Sequence, residues 1–180
     1  MEIPPEQRAF VAKRPELVNV LMTQVWISLP LEERKNAREF IGIWDTGATH
    51  SVVTKKVVDA LGLKPITKVK VNHVGGEDYS NVYLVNIALP SNVIVQGVRV
   101  TEGKLPSMSN ANVLIGMDII SHGDFAVTNF SGKTTFSFRT PSIEEIDFVS
   151  KANLANFLRA KKIQQFQKSS ARNKKKLRWR

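Results

Sequence analysis

Apolar and polar residues alternate over short stretches along most of the chain, and turn residues separate the stretches. Val18 to Ser28 is apolar, β-branched and partly alternating, the pattern of a strand, and Pro30 ends it. Leu31 to Ala37 reads as a charged connection. Phe40 to Trp44 reads as a short buried strand and Val52-Val53 as the next. Thr54 to Gly62 reads as a turn of helix stopped by glycine. Lys68 to Asn72 alternates, His73-Val74-Gly75-Gly76-Glu77-Asp78 supplies a turn with Gly-Gly as its hairpin signal, and Tyr79 to Leu89 alternates again. Leu89-Pro90-Ser91-Asn92 turns the chain into Val93 to Thr101. Asn112 to Ile115 reads as a buried strand, broken by Gly116 and followed by a short helix, Met117 to Ile120. Asp124 to Thr128 and Thr134 to Arg139 flank a further hairpin at Asn129 to Lys133. Many short strands at close spacing predict a mostly-β barrel or sandwich.

The pattern changes after Pro141. Glu144 to Gln167 has helical composition, with apolar positions such as Phe148, Leu154, Phe157, Leu158, Ile163 and Phe166. Lys168 to Arg180 is polar and basic, and is expected to be mobile. The chain shows no internal repeat. The reading divides it into an N-terminal extension (1–17), a β domain (18–140) and a helical extension with a basic tail (141–180).

Composition narrows the function classes. At 180 residues the chain can bury a real core. It has no cysteine, which excludes disulfides and thiolate metal sites, and its three scattered histidines do not suit structural zinc. No cofactor is expected. The start, Met1-Glu2-Ile3-Pro4-Pro5, lacks the pattern of a signal peptide, and no apolar run approaches the ~20 residues of a membrane span. A cytoplasmic protein is the expectation. The net charge of +10 is uneven. Ten of the 26 Lys/Arg lie between Arg159 and Arg180, where there is no acid, and the other 16 balance all 16 acids of the chain. A neutral body with a basic appendage argues against a nucleic-acid-binding core.

Candidate chemistry centres on Asp45-Thr46-Gly47-Ala48, which follows the apolar run Phe40 to Trp44 and precedes Thr49-His50-Ser51-Val52-Val53. An isolated Asp-x-Gly is usually a turn, because an aspartate side chain bonds nearby backbone amides. Here it is set between two apolar β segments, which is unusual for a turn aspartate. A carboxylate at a strand end, with a small hydroxyl residue and a glycine after it, suits holding a water between two carboxylates. The chain contains this triplet once, so it carries half of such a site.

The chain resembles the retropepsin family of aspartic proteases, especially its bacterial single-domain members, over roughly residues 18–139. The resemblance rests on Ile43-Trp44-Asp45-Thr46-Gly47-Ala48-Thr49, on the hairpin Val74-Gly75-Gly76 where the family has its flap, and on Val113-Leu114-Ile115-Gly116-Met117-Asp118-Ile119-Ile120 before its helix. It implies a retropepsin-like acid-protease β-barrel with a short helix, and a homodimeric endopeptidase with Asp45 of each subunit as the catalytic acid. Thr46 and Gly47 would support the active-site loop. Ala48, Thr49, Gly75, Gly76 and Leu114 would bind a protein or peptide substrate, and Gly116 and Asp118 would be structural. Capping of the short helix is the simplest role for Asp118. Viral members carry an acid where this chain has Thr49 and a paired arginine where it has Met117. The loss of both is coherent, since losing one alone strands a charge. Trp44 replaces a smaller aliphatic residue and is expected to pack in the core, as is Leu114 if it lines no pocket. The hairpin after residue 123 is expected to take the place of the viral terminal-strand interface.

His50, His73 and His122 read as solvated polar residues. Residues 159–180 are a candidate surface for nucleic acid, an acidic partner or an anionic membrane surface, with Trp179 placed to stack on a base; a solvated tail is the plain alternative. Self-processing of this tail is a further possibility. Two other functions stay open at this point. One is a non-catalytic module of the same fold that holds an extended peptide by strand addition. The other is a dimeric adaptor whose basic tail does the binding.

Overall fold

The computed structural model describes residues 5–32, 36–73, 76–105 and 110–177, with backbone alone at 71–78 and 169–177. The chain divides into two compact units, Met1–Ile143 and Glu144–Arg180.

Among the described residues the first unit contains ten strands: β1 (Arg8–Lys13), β2 (Leu21–Ser28), β3 (Arg38–Trp44), β4 (Val52–Val53), β5 (Thr67–His73), β6 (Gly76–Leu89), β7 (Val93–Glu102), β8 (Val113–Ile115), β9 (Asp124–Thr128) and β10 (Thr135–Thr140). Two short helices, α1 (Lys55–Leu61) and α2 (Met117–Ile120), interrupt them. The larger sheet runs β2-β3-β8-β4-β7-β6-β5, and β2 also pairs with β6, at Trp26↔Ala88 to Ser28↔Asn86. That pairing closes β2, β3, β8, β4, β7 and β6 into a six-stranded barrel, with β5 hanging outside on β6. The fold is therefore mostly β and barrel-like, as the strand spacing indicates.

The barrel closes where β6 bends. Its register with β7 shifts between Val85 and Ile87, and Asn86 sits in the irregularity, buried. Bulges of this kind bend a strand and re-aim a side chain. Asn86 uses the position fully. Its Nδ2 donates to the carbonyls of Leu29 and Pro30, both at 3.1 Å, and its Oδ1 accepts from the Gly97 N–H at 3.0 Å. A buried amide satisfied on both ends pins the β2 end to the β6–β7 hairpin. Inside, Val25, Ile27, Val85, Ile87, Val100, Val113 and Ile115 are fully buried.

A smaller sheet, β1-β10-β9, lies against one end of this core. β1 pairs with β10 from Arg8↔Thr140 to Lys13↔Thr135. Residues 1–17, read from sequence as an extension, thus contribute a strand. Phe10, Phe136 and Phe138 are buried, and with Phe125 they surround Trp44. The indole stacks on Phe125 with ring centres 5.4 Å apart and planes within 5°. Its Nε1 donates to Thr23 Oγ1 at 3.0 Å, so the one polar atom of the indole is satisfied. Trp44 is therefore a core residue that joins the two sheets.

The end of this unit is clasped by Asp124. Its carboxylate accepts from Arg139 Nε at 3.0 Å, Arg139 Nη2, the Ser142 hydroxyl and the Ile143 N–H at 3.1 Å. The Ser142 hydroxyl first, then the Arg139 guanidinium and the Ile143 amide, hold its carboxyl down at about 2.

The second unit contains α3 (Phe148–Leu177), thirty residues long. Asp147 caps it, accepting from the N–H groups of Val149 at 2.8 Å and Ser150 at 3.1 Å, and from the Ser150 hydroxyl. The helix runs on past Gln167, where the sequence reading ends it. The residues from Lys168 to Leu177 contain neither proline nor glycine, so nothing in them stops a helix. Among the described residues no helix is long and apolar enough to cross a membrane.

Candidate active site

The site is built from three short pieces of the barrel. β3 delivers the chain to Asp45 with Phe40, Gly42 and Trp44 buried on one side and Ile41 and Ile43 half-buried on the other. Gly42 packs tightly: a Cβ there would lie 3.0 Å from Val25 Cγ1, so that side chain would have to give way. β8 then runs parallel to β3 (Gly42↔Val113 to Trp44↔Ile115) and antiparallel to β4 (Val52↔Leu114, Val53↔Val113). The Asp45–Ser51 loop must therefore pass over the end of β8 to reach β4.

Backbone bonds strap this loop to the turn that follows β8. Asp45 N–H donates to the Ile115 carbonyl at 3.0 Å, Met117 N–H to the Ala48 carbonyl at 2.8 Å, and Asp118 N–H to the Thr49 carbonyl at 3.2 Å. Gly116 sits under the strap. A Cβ on it would stand 2.7 Å from the His50 carbonyl carbon and 3.0 Å from the Ala48 oxygen, both backbone atoms. Only glycine fits between the two segments.

Ser51 completes the lock. It is fully buried. Its hydroxyl donates to Asp118 Oδ1 at 2.8 Å and accepts from the Gly116 N–H at 3.1 Å, and its N–H donates to Asp118 Oδ2 at 2.9 Å. Asp118 thus serves the loop. The sequence expectation that it caps α2 is corrected: the N-cap residue is Gly116, with no side-chain cap bond, and the Asp118 oxygens are directed to Ser51. Ser51 itself carries no signal in the sequence beyond being a small hydroxyl residue. Its partners are 65 and 67 positions away.

Asp45 is half-buried at the head of the loop, flanked by exposed Thr46 and Gly47. Its Oδ1 accepts from the Gly47 N–H at 2.8 Å, the local bond expected of an aspartate turn. A Cβ on Gly47 would come within 3.2 Å of that oxygen, so the glycine allows the close approach. The result is a carboxylate held in place by its own loop, with little bulk around it.

A family model described as "gag-polyprotein putative aspartyl protease" matches residues 33–122, half of the chain. The chain belongs to this aspartyl protease family. The matched span contains the Asp45 loop, the β5–β6 hairpin and the β8–α2 turn, the three features that carried the resemblance to retropepsins. No curated protein sequence matches the chain. Solved structures similar to it include a retropepsin-like aspartic protease from Rickettsia conorii, with 10% identity, 77% of this chain and 99% of that one covered, and a TM-score of 0.47. Another is EIAV protease complexed with the inhibitor HBY-793, with 22% identity, 58% and 88% covered, and a TM-score of 0.42. A third is simian foamy virus (mac) protease, with 15% identity, 54% and 91% covered, and a TM-score of 0.38. Membership rests on the family match.

In this aspartyl protease domain the remaining candidate residues fall in two places. Ala48 (half-buried) and Thr49 (exposed) belong to the strapped loop, and Leu114 is half-buried in β8, opposite Ile43 and Val52. Gly76 opens β6 and pairs with His73, so β5 and β6 form the hairpin that the Gly-Gly signal predicts. Gly75 and Val74 at its tip lie outside the described residues. Met117 is partly exposed beside Thr49, and its backbone keeps the loop contact that needs no charged pair. His50 and His122 are exposed.

Proposed function

We propose that this chain is an aspartic endopeptidase that works as a homodimer, with one Asp45 from each copy forming the catalytic pair. The observation that carries this reading is the single Asp-Thr-Gly loop. It presents one carboxylate at the end of β3, strapped by Ile115, Gly116 and Ser51, with only small residues beside it. One chain supplies half of a two-carboxylate site, and a second copy supplies the other half by symmetry.

Two carboxylates brought together across a two-fold axis cannot both ionise cheaply, so the pair shares a proton. The ionised member takes a proton from a bound water, and that water attacks the scissile carbonyl. The protonated member donates to the carbonyl oxygen as charge builds there. The pH profile belongs to the pair. Thr46 holds the two loops in register, and Gly47 lets an extended substrate backbone approach. Ala48, Thr49 and Leu114 line the substrate strand. The β5–β6 hairpin, with Gly76 at the start of β6, would close over it and exclude water.

The test is cleavage of a diverse peptide mixture from pH 4 to pH 8, read by mass spectrometry, with wild type and Asp45→Asn in parallel and the oligomeric state measured alongside. Asp45→Asn is expected to lower cleavage by about a thousandfold while the melting temperature holds. Residual wild-type-like cleavage in the variant sinks the mechanism. A folded wild-type dimer that binds peptides without cutting them replaces it with the peptide-binding module.

A further inference from the structure

We propose that α3 is a nucleic-acid-binding arm that grips the phosphate backbone without reading sequence. Its thirty residues carry nine Lys/Arg and no acid. The first 158 residues of the chain are formally neutral, so the whole charge of +10 lies in residues 159–180. A concentration of like charge on one element is paid for in self-repulsion, which a polyanion relieves by releasing its own counterions. At 1.5 Å per residue the helix is about 45 Å long, enough to follow more than one turn of duplex.

The disposition of the apolar side chains favours a polynucleotide over a membrane. Phe148, Phe157 and Phe166 are all exposed and stand nine residues apart. Nine residues at 100° each is two and a half turns, so successive phenylalanines lie on opposite sides of the helix. A helix lying in a bilayer surface needs its apolar residues gathered on one face. The Lys161 ammonium also stands 4.4 Å over the Phe157 ring, so that side of the helix presents a cation across the ring. A coiled-coil partner is equally ill suited. One heptad beyond Leu154, Phe157 and Leu158 stand Lys161, Gln164 and Gln165, which end any apolar seam.

The experiment uses the full-length protein and measures fluorescence anisotropy with three probes: duplex DNA of about two helical turns, a single-stranded RNA of similar length, and a polyglutamate peptide. Phosphatidylcholine vesicles containing phosphatidylserine are tested by flotation. Two variants accompany the wild type, with Lys161, Lys162, Lys168, Lys174, Lys175 and Lys176 all changed to Gln in one and all to Arg in the other. Binding to at least one polynucleotide is expected, with affinity falling at least about tenfold between 50 and 200 mM salt. The six-Gln variant is expected to bind about a hundredfold more weakly at the low-salt end, with a shallower salt slope, and to melt at the wild-type temperature. The six-Arg variant is expected to keep its affinity. No binding of either polynucleotide at low salt overturns the proposal. So does a six-Gln variant that binds as tightly as wild type, or vesicles or polyglutamate bound as tightly as nucleic acid. None of these readouts depends on whether the Asp45 loop is catalytic.

Discussion

Replacing Ser51 by alanine removes one oxygen and leaves two partners behind. That oxygen donates to a carboxylate at 2.8 Å and accepts a backbone N–H at 3.1 Å, in a residue with no solvent exposure. A hydrogen bond to a charged group contributes about 1.5–3 kcal/mol, and a buried donor left without an acceptor costs about 1–3 kcal/mol. Asp118 keeps its second bond, from the Ser51 amide, which limits the loss on that side. The expected destabilisation is about 3 kcal/mol. For a folded unit of this size a kcal/mol shifts the melting temperature by about 3 °C, so a fall of about 10 °C follows. Urea unfolding of wild type, Ser51→Ala, Asp118→Ala and the double variant, with the slope m checked for constancy, gives the cycle. The two single losses are expected to overlap, because each removes the same Oγ–Oδ1 bond, and the coupling should reach at least about 1 kcal/mol. A cost for Ser51→Ala below about 0.5 kcal/mol, or losses that simply add, would refute the claim that this pair locks the Asp45 loop to the end of β8.

Further outcomes follow from the same geometry. Gly116→Ala places a methyl group 2.7 Å from the His50 backbone, which has no flexible end to yield; a loss of about 2–3 kcal/mol is expected by thermal melting, together with loss of peptide cleavage. The Asp124 clasp works in a defined pH window. Its carboxyl is held at about 2 against an ordinary 3.8, so its contribution is fully present above pH 4 and disappears as the pH falls through about 2. Asp124→Asn should therefore lower the melting temperature at pH 6 and lose less than wild type does between pH 4 and pH 2, as followed by calorimetry.

The barrel was largely legible because its strands carry strong local signals. Val52-Val53, the Lys68–Asn72 and Tyr79–Leu89 pair and the Asn129–Lys133 hairpin all lie within a residue or a few of the observed elements. Gly62 ends α1 with the left-handed conformation that glycine favours (φ 59°). β1 was not legible. Of its six residues only Phe10 is buried, and its partner β10 is more than 120 positions away, so neither composition nor local pattern marks it. The extent of α3 was obscured for a different reason. The basic run after Gln167 reads as solvated, and charge density says little about whether a solvated segment is helical. At the candidate site the acid was found through its motif, because the motif is contiguous. Ser51 was missed and Asp118 misassigned because their relation exists only after β8 is inserted between β3 and β4. A carboxylate at the start of a helix looks like a cap in one dimension.

The pairing of β1 with β10 has a thermodynamic meaning. The small sheet is completed by strands of one chain, and Phe10, Phe136 and Phe138 are buried without a second copy. One chain therefore builds this core by itself, with no intermolecular contact needed to complete it. A dyad shared between copies, as proposed above, would obey a different law: below the dissociation constant its turnover would grow with the square of concentration, and pairing would raise the melting midpoint with concentration. On that proposal, local crowding of copies would switch activity on and stabilise the folded state at the same time.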